Sequence, residues 1–352
     1  MKEVKASSHR DYIRHKAIEQ ETQAERDISA EGYSGPGGLD DTSFDVFSSK
    51  LSEKQKSTAQ NESESSDLYH MAMALAKEIH DRLSGNEVIK CGPVNLCVEK
   101  LVEQLLLNNS HLPVLMSGNA QDYLSSHVVN VSILSIKIGQ DIGYDKTGLT
   151  ELGISAFLHD IGMMKYMKQA MQPGKLSSKE YREIQNHTFM SAGILEEADE
   201  LPEVAVQVAL QHHERIDGSG YPRGLRGESL NIYSRIIHLA DTYEALTHSR
   251  PHRDRCMPHE SVHNILQMKH SYDYKVMKAF INMVGVYPVG SLVRLNTGET
   301  CRVAAINQGH PTRPVLHVLL NSDYKKPDEQ NIINLLNYPI IHIKECLKQS
   351  GD

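Results

Sequence analysis

From residue 127 to residue 241 the chain returns to histidine or aspartate about once per helix and loop: His127, His159-Asp160, His187, His212-His213 and Asp241. Each lies in an apolar row at helical spacing. Leu124, His127, Val128, Val131, Leu134 and Ile138 form one stripe, and Leu152, Ala156, His159 and Met163 form a second. A capping box, Ser177-x-x-Glu180, opens a third helix whose inward row is Ile184, His187, Ser191 and Leu195. The fourth starts after Pro202 and turns Ala205, Val208, Ala209 and His212 inward, while the fifth carries Ile237, Ala240, Asp241 and Ala245.

One histidine in such a row is an ordinary core residue bonded to a neighbour. Five helices that aim imidazoles and carboxylates at one interior need a different account, because Asp160 and Asp241 are costly as unpaired buried charges. A divalent cation supplies the counter-charge. Imidazole and carboxylate without thiolate suit iron, manganese or a similar ion better than structural zinc. On a helix, adjacent His159 and Asp160 point about 100° apart, so Asp160 can bridge two ions while His159 serves one. Two ions about 3.5 to 4 Å apart hold a hydroxide, polarise a phosphoryl group and stabilise its leaving oxygen. The residues therefore point to a dinuclear phosphohydrolase.

Around this series the chain reads as mainly α. Residues 1–66 carry ten Ser or Thr between positions 42 and 66 and more acidic than basic side chains, with few large apolar residues. They read as a disordered, acidic, Ser-rich tether. Residues 67–118 form a helical segment of unassigned role, with one stripe of Leu68, Met71, Ala72, Leu75 and Ile79 and a second helix from Val94 to Leu107. Residues 119–285 hold the helical domain. After Tyr287-Pro288-Val289-Gly290 the period changes to alternation over 291–296, 299–307 and 315–320, so residues 286–352 read as a small antiparallel β extension, suited to packing or to support of a homodimer.

Composition narrows the function. The formal charge of −8 over 352 residues disfavours coating of a nucleic acid polymer. No apolar run spans a bilayer and the polar N-terminus lacks a signal-peptide core, so the expectation is a cytoplasmic protein without a membrane span. Five scattered cysteines, without a Cys-x-x-Cys pair, read as free thiols.

Within residues 121–282 the motifs Leu158-His159-Asp160-Ile161-Gly162, His187, His212-His213-Glu214-Arg215-Ile216-Asp217-Gly218-Ser219-Gly220-Tyr221-Pro222, Ala240-Asp241 and Arg250-Pro251-His252-Arg253 follow in order. This series resembles the HD-GYP domain of bacterial cyclic di-GMP phosphodiesterases. The resemblance implies an HD-superfamily helical bundle and hydrolysis of cyclic di-GMP to linear pGpG, or onward to GMP. It implies metal ligands at His127, His159, Asp160, His187, His212, His213 and Asp241, with Asp160 and His213 serving catalysis. Substrate contacts fall on Arg250 and Arg253, whose guanidinium forks suit phosphate oxygens and guanine edges, and on Gly220, Tyr221 and Pro222 of the Gly-Tyr-Pro loop. That loop is also implied as a contact for diguanylate cyclase (GGDEF) domains.

Two positions depart from the pattern. Many members carry lysine where this chain has Met163, and Lys165 can substitute only if the helix ends there. Members with a third metal carry Glu four residues before the first histidine; here that residue is Tyr123, so two ions, iron or manganese, are expected and a third is not. Met163 keeps open a weakly active or inactive cyclic di-GMP sensor that signals through the loop. The same chemistry on another cyclic dinucleotide is also open.

Overall fold

The computed structural model describes residues 64–85, 87–107, 123–172, 174, 176–248, 256–327 and 331–347. Most of the expected tether, and Arg250 and Arg253, lie outside the described residues. The helices are α1 (64–84), α2 (Gly92–Leu107), α3 (Tyr123–Ile142) and α4 (Lys146–Leu158), then, after a 3-10 turn over Ile161–Tyr166, α5 (Met167–Ala170), α6 (Ser178–Gln185) and α7 (His187–Glu196). There follow α8 (Val204–Gln211), α9 (Ile232–Thr247), α10 (Pro258–Gln267) and α11 (Tyr274–Val284). No helix among the described residues is long and apolar enough to cross a membrane.

The hub is α3, which is buried without a break from Leu124 to Gly139 and so is covered on every side, not along one stripe. It lies between two apolar clusters. One joins it to α1, α2 and α4 through residues such as Val98, Leu101 and Phe157; the other joins it to α9, α10 and α11 through Ile237, Val262 and Phe280. Serines conceal this burial from a count of apolar positions; one of them, Ser132, donates its Oγ to the Gly153 carbonyl of α4 at 2.9 Å. Gly153 itself lets α4 press on its neighbours, since a Cβ there would lie 2.6 Å from Val98 Cγ1.

Two expected elements come out differently. On α1 the buried row is Ser65, Tyr69, Ala72, Ala76 and Ile79, while Met71 is 43% exposed. The alanines allow close approach, and the larger side chains flank the contact. The helix expected from Ser177 breaks at Asn186 into α6 and α7. Its capping box forms, with Ser177 N–H donating to Glu180 Oε2 at 2.7 Å, but His187 Nδ1 takes the Ile184 carbonyl and the chain turns there.

After Gly285 the chain enters a five-stranded antiparallel sheet of β1 (Leu292–Leu295), β2 (Thr300–Ala305), β3 (Val315–Leu320), β4 (Ile332–Asn334) and β5 (Ile343–Leu347), in the order β4-β3-β2-β1-β5. The first three strands are the expected ones; β4 and β5 are additional. Val293, Leu295, Cys301, Val303, Leu316 and Val318 give it a core of its own. It carries none of the histidines and aspartates of the series.

Candidate metal centre

The histidines enter the centre mainly from helix ends. His159 caps α4 and His212 caps α8, where the last carbonyls of a helix have no partner within it. Their rings fill that need: His159 Nδ1 lies 2.6 Å from the Ala156 carbonyl, His212 Nδ1 2.9 Å from that of Ala209, and His187 Nδ1 2.7 Å from that of Ile184. A carbonyl only accepts, so each Nδ1 carries the proton and each Nε2 presents a lone pair. His127, in the second turn of α3, is held differently, with Nδ1 2.5 Å from Glu244 Oε2 on α9.

The helix expected to run from Leu152 to Met163 stops at Leu158. Asp160 has non-helical backbone (φ −109, ψ 18), so the 100° relation between His159 and Asp160 does not apply. Gly162 explains the turn: its N–H donates to Ser191 Oγ at 2.9 Å, and a Cβ would lie 2.5 Å from the His187 carbonyl. Asp160 is thereby held between α4 and α7. Its Oδ2 lies 3.9 Å from His127 Nε2 and its Oδ1 3.3 Å from His187 Nε2. Asp241 spans the same gap, with Oδ1 3.4 Å from His127 Nε2 and Oδ2 3.7 Å from His213 Nδ1.

Two sets of ligand atoms result, His127 with His159 and Asp160, and His187 with His212 and His213, each set lying within 4.8 Å. Within the second, His187 Nε2 and His212 Nε2 approach to 3.2 Å, although both Nδ1 protons are spent on carbonyls. Two lone pairs face one another. His159 Nε2 and Asp160 Oδ1 are buried without a hydrogen-bond partner. The Nε2 atoms of His159, His187 and His212 and the Oδ1 of Asp160 converge as acceptors, an arrangement that fits a cation.

Electrostatics agree. Burial and the neighbouring imidazoles hold the His212 pKa well below the ordinary histidine value. Burial also lowers that of His159, against the pull of Asp160. At His127 burial, the largest single influence, acts in the same direction, but the charge and hydrogen bond of Glu244 together with the charges of Asp241 and Asp160 outweigh it and raise the pKa to about 9. The partner moves oppositely: burial would raise Glu244, yet the charge and hydrogen bond of His127 bring it to about 2.

The Gly-Tyr-Pro loop folds back over His213, the set's partly exposed imidazole. The Tyr221 ring centre is 4.7 Å from that of His213, and Tyr221 N–H donates to the His213 carbonyl at 3.2 Å. Gly220 is required by contact, since a Cβ would lie 2.4 Å from Arg215 N and 2.5 Å from the His213 oxygen. Pro222 follows Tyr221 through a cis peptide bond. Buried Glu214 fastens the loop, accepting from Arg223 N–H at 2.6 Å and Leu225 N–H at 3.0 Å. Lys165 does not take the place of the missing lysine: its Nζ lies 3.9 Å from Met190 Sδ, in a cleft lined by Leu83, Met164 and Met190 but by none of the seven histidines and aspartates.

Sequence reasoning missed Glu244, Asn130 and the role of Glu214. Glu244 was accessible in principle, because it falls one turn after Asp241 on the same face of α9. Glu214 stands inside the motif but its bonds reach forward to residues of a loop that no periodicity describes.

A helical bundle with histidines and aspartates gathered in this way defines a class. The chain belongs to the HD domain family, which it matches over residues 100–276, and residues 292–351 match a KOW domain associated with the HD domain. A cyclic di-GMP phosphodiesterase of Pseudomonas aeruginosa is 31% identical over 228 residues, 64% of this chain and 55% of that one. A 3'3'-cGAMP-specific phosphodiesterase of Vibrio cholerae is 38% identical over 128 residues, 36% of this chain and 30% of that one. The chain spans about half the length of the curated relatives it matches. The solved HDG"Y"P protein of Bdellovibrio bacteriovorus shares the fold, with a TM-score of 0.53 and 20% identity over 62% of this chain and 71% of that one.

Proposed function

We propose that this chain is a metal-dependent phosphodiesterase that opens cyclic di-GMP to linear pGpG. The observation that carries the reading is the pair of ligand sets spanned by both Asp160 and Asp241, with unpaired acceptors turned inward. The cyclic di-GMP phosphodiesterase among the relatives supplies the substrate class. His127, His159, Asp160, His187, His212, His213 and Asp241 would hold two ions, iron or manganese. When bound, such ions activate water, neutralise phosphate charge and stabilise the leaving oxygen. Asp160 and Asp241 place one carboxylate oxygen toward each set; Glu244 holds the His127 ring with its Nε2 inward.

His213 and Tyr221 present the exposed side of the centre to the dinucleotide, and Glu214 sets the height of the loop above it. Arg250 and Arg253 contribute guanidinium forks to the phosphates and guanine edges, and the loop is the surface offered to a diguanylate cyclase domain. Met163 favours a second reading, a sensor that binds cyclic di-GMP but turns it over slowly or not at all, because a point charge near the phosphate is absent. The test is product analysis on cyclic di-GMP and on 3'3'-cGAMP with iron- or manganese-loaded protein before and after chelation. Metal-dependent pGpG supports the enzyme. Binding without product, unrelieved by Met163→Lys, replaces it with the sensor, and preferential cleavage of 3'3'-cGAMP changes the substrate.

A further inference from the structure

We propose that Tyr69, on α1 and outside the residues matched to the HD domain, is a positioning residue for the metal centre, holding His127 through Asn130 and Glu244. The inference rests on the reading of His127 as a metal ligand. Four buried side chains from three helices form the chain of contacts. Tyr69 Oη donates to Asn130 Oδ1 at 3.1 Å, Asn130 Nδ2 donates to Glu244 Oε1 at 3.3 Å, and Glu244 Oε2 meets His127 Nδ1 at 2.5 Å. The far nitrogen of His127 is the one that faces Asp160 and Asp241.

The direction of each bond is forced. Glu244 and the Nε2 of His248, 3.4 Å from Asn130 Nδ2, face the amide nitrogen, so the amide oxygen points toward α1 and needs a donor. Tyr69 is that donor, and burial pushes its pKa up to about 12, which keeps its proton in place. Without the hydroxyl, the Asn130 oxygen, fully buried, would lack a donor and the amide would no longer be held against the carboxylate. Glu244 would then keep its bond to His127 but lose one of the contacts that fix its plane. Outer partners of this kind orient a metal-binding imidazole and raise its basicity. Tyr69 belongs to the buried stripe of α1, beside alanines at 72 and 76, so the hydroxyl is delivered at close range by a packed helix.

Manganese affinity of the metal-stripped full chain, measured by titration calorimetry, tests the proposal. Tyr69→Phe keeps the ring and removes only the donor. It should weaken manganese binding about three- to tenfold, less than the ~10 to 100-fold typical of a direct outer-shell partner, with unchanged circular dichroism. Tyr69→Phe added to Asn130→Ala should bring no further loss. Wild-type affinity in Tyr69→Phe, with or without a lower melting temperature, would overturn the proposal, as would losses that multiply in the double variant. His127→Ala separates the two levels: if it loses manganese while Tyr69→Phe does not, only this inference falls. If His127→Ala binds manganese like the wild type, the metal-ligand reading fails and takes the inference with it.

Discussion

His127 is held by a carboxylate from another helix, whereas His187 and His212 are held by backbone carbonyls one turn behind them in sequence. Through His127 the first ligand set is thus joined to side chains of α1, α3 and α9, whereas His187 and His212 of the second, like His159 of the first, depend on where helices stop. A carbonyl brace survives any substitution that leaves the helix end in place. A carboxylate brace adds charge and basicity but can be removed by a single change. The contrast separates what tunes the first set from what builds the second.

The largest effect should come from Asp160, one of the two carboxylates common to both sets. Asp160→Ala should remove the ions of both sets and abolish turnover, and Asp160→Asn should fail as well, since an amide does not supply the charge. Metal analysis and product assay check this; the fall in affinity should exceed the ~10 to 100-fold of an outer-shell loss.

Glu244→Gln should act on one side. It removes the charge that sustains His127 and should weaken the first site by about 10 to 100-fold while sparing the site of His187 and His212, so that titration resolves one weak and one unchanged ion. Equal weakening of both would erase the distinction drawn above. In the metal-free protein Glu244→Ala should cost about 3 to 5 kcal/mol of unfolding free energy, the usual result of breaking a buried pair from one side.

Substitutions in the loop should leave metal content alone. Gly220→Ala forces a Cβ against the Arg215 nitrogen and the His213 carbonyl, an overpacking of about 1 to 3 kcal/mol, and should lower cyclic di-GMP turnover while two ions remain. Glu214→Gln weakens charged hydrogen bonds to Arg223 and Leu225, and should raise the apparent KM.

The smallest effect belongs to Asp217, exposed at the start of the loop. Bonds from the Ser219 hydroxyl and N–H hold its pKa at about 2, against an ordinary 3.8. A lowered carboxylate stabilises the fold above its unfolded value, and that contribution is lost as pH falls through the folded one. Asp217→Asn should therefore melt slightly below wild type above pH 4, with the gap closing toward pH 2; solvent screening keeps it small.

Much of this was legible from residue order. The inward His and Asp rows, the capping box at Ser177 and three of the strands follow from spacing, because helices and strands impose periods on apolar residues. Helix ends were less legible: His159 and Asp160 were read on one continuing helix, yet the imidazole caps α4 and Gly162 packs against α7, a contact between segments distant in sequence. The full burial of α3 was masked by its serines, of which Ser132 bonds a carbonyl of α4. Glu244, Asn130 and Tyr69 form their contacts across 61 to 117 positions, a range at which no local period carries information.

The central claim is a dinuclear centre shared through Asp160 and Asp241. Anomalous diffraction at the iron and manganese edges, from crystals of loaded protein, tests it most directly. Two peaks are predicted, one beside His127 and His159, the other beside His187 and His212, with both carboxylates reaching both ions. A single peak at saturating metal, or two peaks of which either lacks contact with Asp160, would contradict it.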